Sequence, residues 1–217
     1  MIDKIISFGD SFIYGSDLAD SDNKRKYSKS TWPALCAKEL GLKYKCYARP
    51  GRGNSNISQN IVAYSEPNTL VVINWSWIDR FDYQTNRRGW SETVRPDGDE
   101  ISEFYYKNIH TELDDKFRSL SLIHSTHEYL KNNNIKFIST YMDHLVLDRK
   151  WHCPPFVSNL QRVVRKDLQT FPKKQTFLEW SRSNDYPESK GWHPLEQAHA
   201  EAAKVWLPTY KSMISPK

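Results

Sequence analysis

Short apolar runs alternate along this chain with longer segments in which apolar residues recur every three or four positions. Residues 4–8, 44–47, 70–73 and 135–140 are the short runs and predict strands, the run Leu70-Val71-Val72-Ile73 being the clearest. Ser30-Thr31 is an N-cap signal for a helix that runs through Leu40 and stops at Gly41. Gly51-Arg52-Gly53-Asn54 forms a turn that leads into a helix over 55–64. A long helix is predicted over 108–131, with Ile109, Leu113, Phe117, Leu120, His124, His127 and Leu130 on one stripe, ended by Asn132–Asn134. The last helix is predicted over 194–213, opened by Pro194, with Leu195, Ala198, Ala202 and Val205/Trp206 at helical spacing. Strands alternating with helices predict βαβ units and a parallel sheet, hence an α/β fold in a single domain spanning residues 1–217. Segments 81–107 and 143–159 break the alternation and are expected as long loops at the C-terminal edge of the sheet, where they would shape a cleft.

Composition narrows the class. At 217 residues, 38% hydrophobic and 13% aromatic, the chain can bury a full core. No run approaches the roughly 20 apolar residues of a membrane span, and there is no signal-peptide core at the start, so the expectation is a cytoplasmic protein without membrane contact. Cys36, Cys46 and Cys153 are far apart and form no metal or redox motif. The net charge of +5 comes from dispersed groups, the one local run being Lys24-Arg25-Lys26 with Lys29. That run reads as a solvated loop compatible with a mild preference for anionic substrates, and the absence of a basic stripe argues against nucleic acid. His124 and His127 have metal-pair spacing but lie on the apolar stripe and read as core residues, so neither metal nor other cofactor is expected. Oligomeric state is left open.

Chemistry concentrates at four places. Ile5-Ile6-Ser7-Phe8 breaks directly into Gly9-Asp10-Ser11, which puts a serine hydroxyl at the C-terminal edge of the sheet, where open α/β sheets bind ligands. The turn at Gly51–Asn54 presents free N–H groups at a helix start, suited to an oxyanion. Asn74-Trp75-Ser76-Trp77-Ile78-Asp79-Arg80 follows the third strand, and Gly191-Trp192-His193-Pro194 opens the last helix.

The stretch Phe8-Gly9-Asp10-Ser11-Phe12-Ile13-Tyr14-Gly15 resembles the first block of the SGNH (GDSL-type) hydrolases, and the other three places resemble later blocks in the right order. The Trp-Ser pair followed by Arg80 resembles relaxed versions of the third block in phage-encoded relatives. The resemblance implies a three-layer α/β/α flavodoxin-like fold with about five parallel strands, and metal-independent hydrolysis of a small acyl ester. It implies Ser11 as nucleophile and His193 as general base. It implies an oxyanion hole from the N–H groups of Ser11 and Gly51, with Gly53 as the alternative glycine and Ser76 standing where the family has an asparagine. Lys190 occupies the place of the family's aspartate. That leaves Asp185 or Glu188 as the acid, or a dyad whose histidine is oriented by a backbone carbonyl.

Asp10, Asn54 and Arg80 are the expected substrate-binding groups. Asp143-His144 and His152 compete with His193 for the base, and Trp75, Trp77, Trp90 and Trp192 are candidate sugar-stacking platforms. Aromatic and arginine residues around the cleft favour a polar ester such as a carbohydrate O-acetyl ester. Two other readings remain: a binding module that has kept the fold without efficient catalysis, and a nucleotide or phosphate binder using Gly51–Asn54.

Overall fold

A computed structural model describes residues 2–22, 25–86, 91–148 and 153–215. Four parallel strands form the central sheet: β1 (Lys4–Phe8), β2 (Lys43–Cys46), β3 (Thr69–Trp75) and β6 (Lys136–Tyr141), in the order β2-β1-β3-β6. The place of a fifth strand is held by one residue, Leu168, which bridges Ser139 of β6 in parallel sense. A separate antiparallel hairpin, β4 (Phe81–Gln84) and β5 (Ser91–Val94), lies in the segment expected as loop.

Helices cover both faces. On one side α2 (Trp32–Glu39), α7 (Phe177–Ser183) and α8 (Glu196–Ile214) bury Ile5, Leu70, Val72 and Ile138 together with Phe12, Trp32, Phe171 and Trp206. On the other, α3 (Asn54–Tyr64), α5 (Glu112–Asn132) and α6 (Pro155–Val164) enclose Ile6, Phe8, Val71 and Ile73. Alternate residues of β1 and β3 thus serve opposite layers, the pattern of a strand buried on both faces. Among the described residues no helix is long and apolar enough to cross a membrane.

The helix expected over 108–131 is α5, and a further helix precedes it in the segment expected as loop. α4 (Glu100–Asn108) ends at Ile109, and Thr111 starts α5 by accepting the Asp114 N–H. The front of the expected stripe is not buried: Ile109, between the two helices, and Leu113 and Phe117, in the first turns of α5, are exposed, whereas Leu120, His127 and Leu130 are buried. His127 stacks on Phe137 and reaches Ser139 Oγ at 2.9 Å, as a core histidine. Pro194 precedes α8 instead of opening it, since it bridges Glu188 and leaves Leu195 as the N-cap.

α8 is tied to α2 by a buried histidine. His199 Nδ1 accepts the N–H of Trp32, the first residue of α2, at 3.2 Å, supplying the cap that the Thr31 side chain does not. Burial lowers the pKa of His199 from the ordinary 6.5 to about 3, and that of His127 to about 4. Both rings are neutral in the fold. Below pH 6.5 the unfolded chain binds protons that the folded chain refuses, so stability present above pH 6.5 is lost as pH falls toward about 4 and then 3. Urea titrations at successively lower pH across that window are expected to show a falling unfolding midpoint. The dependence should be shallower in His127→Gln and His199→Gln than in the parent.

Candidate active site

β1 leads into the site through Gly9, where no side chain fits. A Cβ there would lie 2.8 Å from Ile13 Cγ1 and 3.0 Å from the Asn74 carbonyl oxygen. Asp10 then caps the one-turn helix α1 (Ser11–Tyr14) by accepting the Phe12 N–H at 3.1 Å, and Gly15 ends it in the left-handed region at φ 76°. Ser11 is therefore the first residue of a short turn at the C-terminal edge of the sheet, 6% exposed. Among the described residues its N–H has no acceptor.

The other carboxylate oxygen of Asp10 organises the edge from inside. Asp10 Oδ2 accepts from Ser76 Oγ and from Arg80 Nη1, each at 3.0 Å. Arg80 Nη1 also lies 2.7 Å from Ser76 Oγ and 3.1 Å from the Arg52 carbonyl, with the guanidinium over Trp77. Asp10 has no solvent exposure. Asp10 and Arg80 thus form a buried brace, not the substrate-binding pair expected from sequence. Ser76 gives its hydroxyl proton to Asp10 and its backbone N–H to Asn54 Oδ1 at 2.8 Å, leaving no donor for an oxyanion. Asn54 is consumed as well, its Nδ2 donating to the Ser76 carbonyl and to Ser119 Oγ.

The start of α3 is filled by a carboxylate of the protein itself. Asp82, from β4, accepts the Gly53 N–H at 2.9 Å and the Asn56 N–H at 2.8 Å. This removes Gly53 as an oxyanion donor and closes the phosphate-binding reading of the Gly51–Asn54 turn. Gly51 differs. It sits at φ 75°, and its N–H has no acceptor among the described residues.

His193 is presented by a tight hairpin ahead of α8. Ser189 N–H donates to the His193 carbonyl and Leu195 N–H to the Pro187 carbonyl, each at 2.9 Å. The imidazole meets Phe12, the neighbour of Ser11, edge to face at 5.3 Å. Its Nδ1 lies 2.7 Å from Asp17 Oδ2, and the same carboxylate oxygen accepts from Ser189 Oγ at 2.7 Å. Gly191 leaves room for this pair, since a Cβ there would approach Asp17 Oδ2 to 3.0 Å. No hydrogen bond links Ser11 Oγ to His193 among the described residues.

The remaining candidates are accounted for elsewhere. Asp185 sits exposed in the turn after α7, its N–H on the Arg182 carbonyl, and Glu188 forks Arg182 at 2.9 and 3.1 Å. The carboxylate on His193 is therefore that of Asp17, and neither Asp185 nor Glu188 reaches the ring. His144 pairs with Glu179. Asp143 accepts the Ile78 and Leu145 N–H groups, its pKa raised by burial. His152 and Trp90 lie outside the described residues. Trp75 is core, donating to Ser139 Oγ; Trp77 packs between Phe12 and Arg80; Trp192 is 66% exposed beside His193.

No protein-family model and no curated protein matches the sequence. Solved structures do match in shape. A lipolytic protein of the G-D-S-L family from Veillonella parvula superposes with a TM-score of 0.52 at 14% identity, over 96% of this chain and 98% of the other. The psychrotrophic esterase EstA from Pseudoalteromonas gives 0.53 at 10% identity over 97% of each chain. An acetyl xylan esterase from Butyrivibrio proteoclasticus gives 0.52 at 12% identity, over 96% of this chain and 63% of that larger one. The chain has the SGNH hydrolase fold.

Within the SGNH fold two polar groups take places that sequence reading assigned elsewhere. Asp17 is one. Asn74 is the other: it ends the β3 alternation that carries Leu70 and Val72 into the same layer as Phe12. The Thr140 hydroxyl lies 2.8 Å from Asn74 Oδ1, while Nδ2 has no acceptor among the described residues. Its signal was present, as an asparagine inside an otherwise apolar strand end. Asp17 offered a weaker one: after the left-handed Gly15, Ser16 N–H returns to the Ser11 carbonyl at 3.0 Å, which turns residue 17 back toward the site.

Two substitutions separate the brace from the acid. Arg80→Leu leaves the Asp10 charge buried and unpaired, and is expected to lower the unfolding free energy by about 3–5 kcal/mol in urea titration. Asp17→Asn is expected to keep stability and, on the esterase reading proposed below, to cut kcat for ester hydrolysis by about 10³-fold or more. Asp185→Asn, in the same assay, should match the parent.

Proposed function

We propose that the protein is a serine ester hydrolase of SGNH type, acting on a small acyl ester. The observation that carries this is the Asp17–His193 pair at 2.7 Å, packed against the residue that follows Ser11. With Asp17 on Nδ1, the protonated tautomer leaves Nε2 as the basic nitrogen. His193 Nε2 takes the Ser11 proton as Oγ attacks the ester carbonyl. The oxyanion is held by the N–H groups of Ser11 and Gly51 and by Asn74 Nδ2, which takes the part expected of Ser76. Each such donor is worth about 3–4 kcal/mol of barrier. Collapse breaks the ester C–O bond, His193 returns the proton to the departing alcohol, and an acyl-Ser11 ester remains. Water, deprotonated by His193, then releases the acid and restores Ser11.

A polar ester, such as an O-acetyl group on a carbohydrate, suits a site flanked by the exposed Trp192. One neighbour of the same fold is an acetyl xylan esterase, which is consistent with that substrate class. The second reading is a weakly catalytic binding module. Its support is the missing Ser11–His193 hydrogen bond, although such contacts often tighten only with substrate bound.

Labelling with a serine-directed fluorophosphonate, with the adduct located by mass spectrometry, distinguishes the two. The expected adduct is on Ser11, lost in Ser11→Ala and strongly slowed in His193→Ala, with p-nitrophenyl acetate turnover following the same pattern. A folded protein that neither labels nor turns over would overturn the esterase reading in favour of the binding module.

A further inference from the structure

A second feature lies beside the nucleophile, on the side of the edge strand. A cleft of about 470 Å³ opens between the C-terminal half of β2, the segment running on to Pro50, and the C-terminal end of α3. That volume is in the range of small-molecule sites. Its wall adjoins the proposed chemistry at two points. Tyr14 shares the single turn of α1 with Ser11, and Pro50 is followed directly by Gly51.

The lining is unusual in charge. Among the described residues Arg25, Lys45, Arg49 and Arg52 all line it and no carboxylate does, the nearest acidic charge acting on the lining being that of Asp22 on Tyr14. None of the four has an acidic partner within ion-pair distance among the described residues, although many of the protein's other cations do. Arg52 is anchored by its Nη1 on the Ser91 carbonyl, and Lys45 lies 5.5 Å from the centre of the Tyr47 ring. Like charges gathered in a concave, partly dry surface raise the local potential and attract anions. A neutral sugar would leave that potential unrelieved; a dianion would neutralise it.

Two further observations point to a ligand. Tyr14 contributes to the cleft lining, and its hydroxyl, just beneath the surface, has no hydrogen-bond partner among the described residues, so that a small shift of the side chains covering it would open it to a ligand. A buried hydroxyl left without a partner is costly, and a ligand oxygen is one way to complete it. Tyr47 and Tyr64 stack face to face, with ring centres 4.3 Å apart and planes within 2°, which turns the outer side of the exposed Tyr64 ring toward a ligand beside the cations. Aromatic faces of this kind accept a ring, while arginines take the oxygens of a tetrahedral oxyanion in pairs.

We propose that this cleft binds the phosphate or sulfate group of a ring-bearing ligand such as a substituted sugar. Resting on the esterase reading, the substrates of Ser11 are then acyl esters of such anionic alcohols, held by their charge in the cleft while the acyl group reaches the oxyanion donors.

Isothermal titration calorimetry with glucose 6-phosphate, glucose 6-sulfate and glucose tests the site without reference to catalysis. The expected result is binding of at least one anionic sugar and none of glucose, with which anion binds assigning phosphate or sulfate. The Kd should rise at least tenfold in the Lys45→Gln/Arg49→Gln double variant, and also with added salt, as required of a charge-driven contact. Tyr14→Phe is expected to weaken binding while the thermal melt reports a folded protein. Absence of binding for both anions at low salt, or equal affinity in the charge variant, overturns the site. Fluorophosphonate labelling of Ser11, run in parallel, keeps the two readings apart. Binding without labelling upholds the anion site and removes the substrate assignment; labelling without binding upholds the esterase and removes the anion site.

Discussion

A carboxylate with no access to water must be held by charge and hydrogen bonds, and Asp10 is held from three directions at once. One oxygen caps the helix that carries Ser11; the other binds Ser76 and Arg80, both of which follow β3. Arg80 in turn reaches the carbonyl of Arg52, which follows β2. The C-terminal ends of three adjacent strands are therefore cross-linked through a single buried ion pair. Such a pair gains little over an apolar replacement in net stability, but it tolerates few geometries. In this protein the tolerated geometry is the one that sets Ser11 on a fixed turn at the end of β1.

The base depends on a different constraint. His193 stands at the head of α8, and α8 is seated against α2 by His199 on the Trp32 N–H and by the stacked rings of Trp32 and Trp206. The imidazole is thus located by aromatic packing on one layer of the fold, whereas Ser11, the proposed nucleophile, is located by electrostatics at the edge of the sheet. The two systems meet at Phe12, which contacts both His193 and Trp77. Because the brace and the helix layer are separate, damage to one need not displace the other.

The parts legible in sequence were those with local causes. β1, β3 and β6 are continuous apolar runs, α3 follows a turn, and Ser11, Gly51 and His193 stand at junctions where strand gives way to turn or turn to helix. Parts governed by distant partners were hidden. Ser76 and Asn54 carry the right functional groups, yet their hydrogen-bonding capacity is spent on each other and on Asp10 and Ser119. The helical period from 108 onward belongs to α5, but apolar spacing alone does not tell that its first turns stay exposed. The hairpin in 81–107 consists of strands too short and too mixed to show an alternation, and it matters because its Asp82 seals the start of α3. Asp17 pairs with a residue 176 positions away, and no spacing rule within one segment could have joined them.

That pairing redistributes the burden of the chemistry along the chain. Where nucleophile and acid both belong to one short stretch after β1, they are inherited together, and the C-terminal segment has only to deliver an imidazole. On the proposed mechanism position 190 carries no catalytic duty and can hold a lysine at no cost to the histidine. Lineages descended from such an arrangement would be free to vary the residues ahead of His193 while keeping Asp17. A search keyed to an aspartate three positions before the histidine would pass over every one of them.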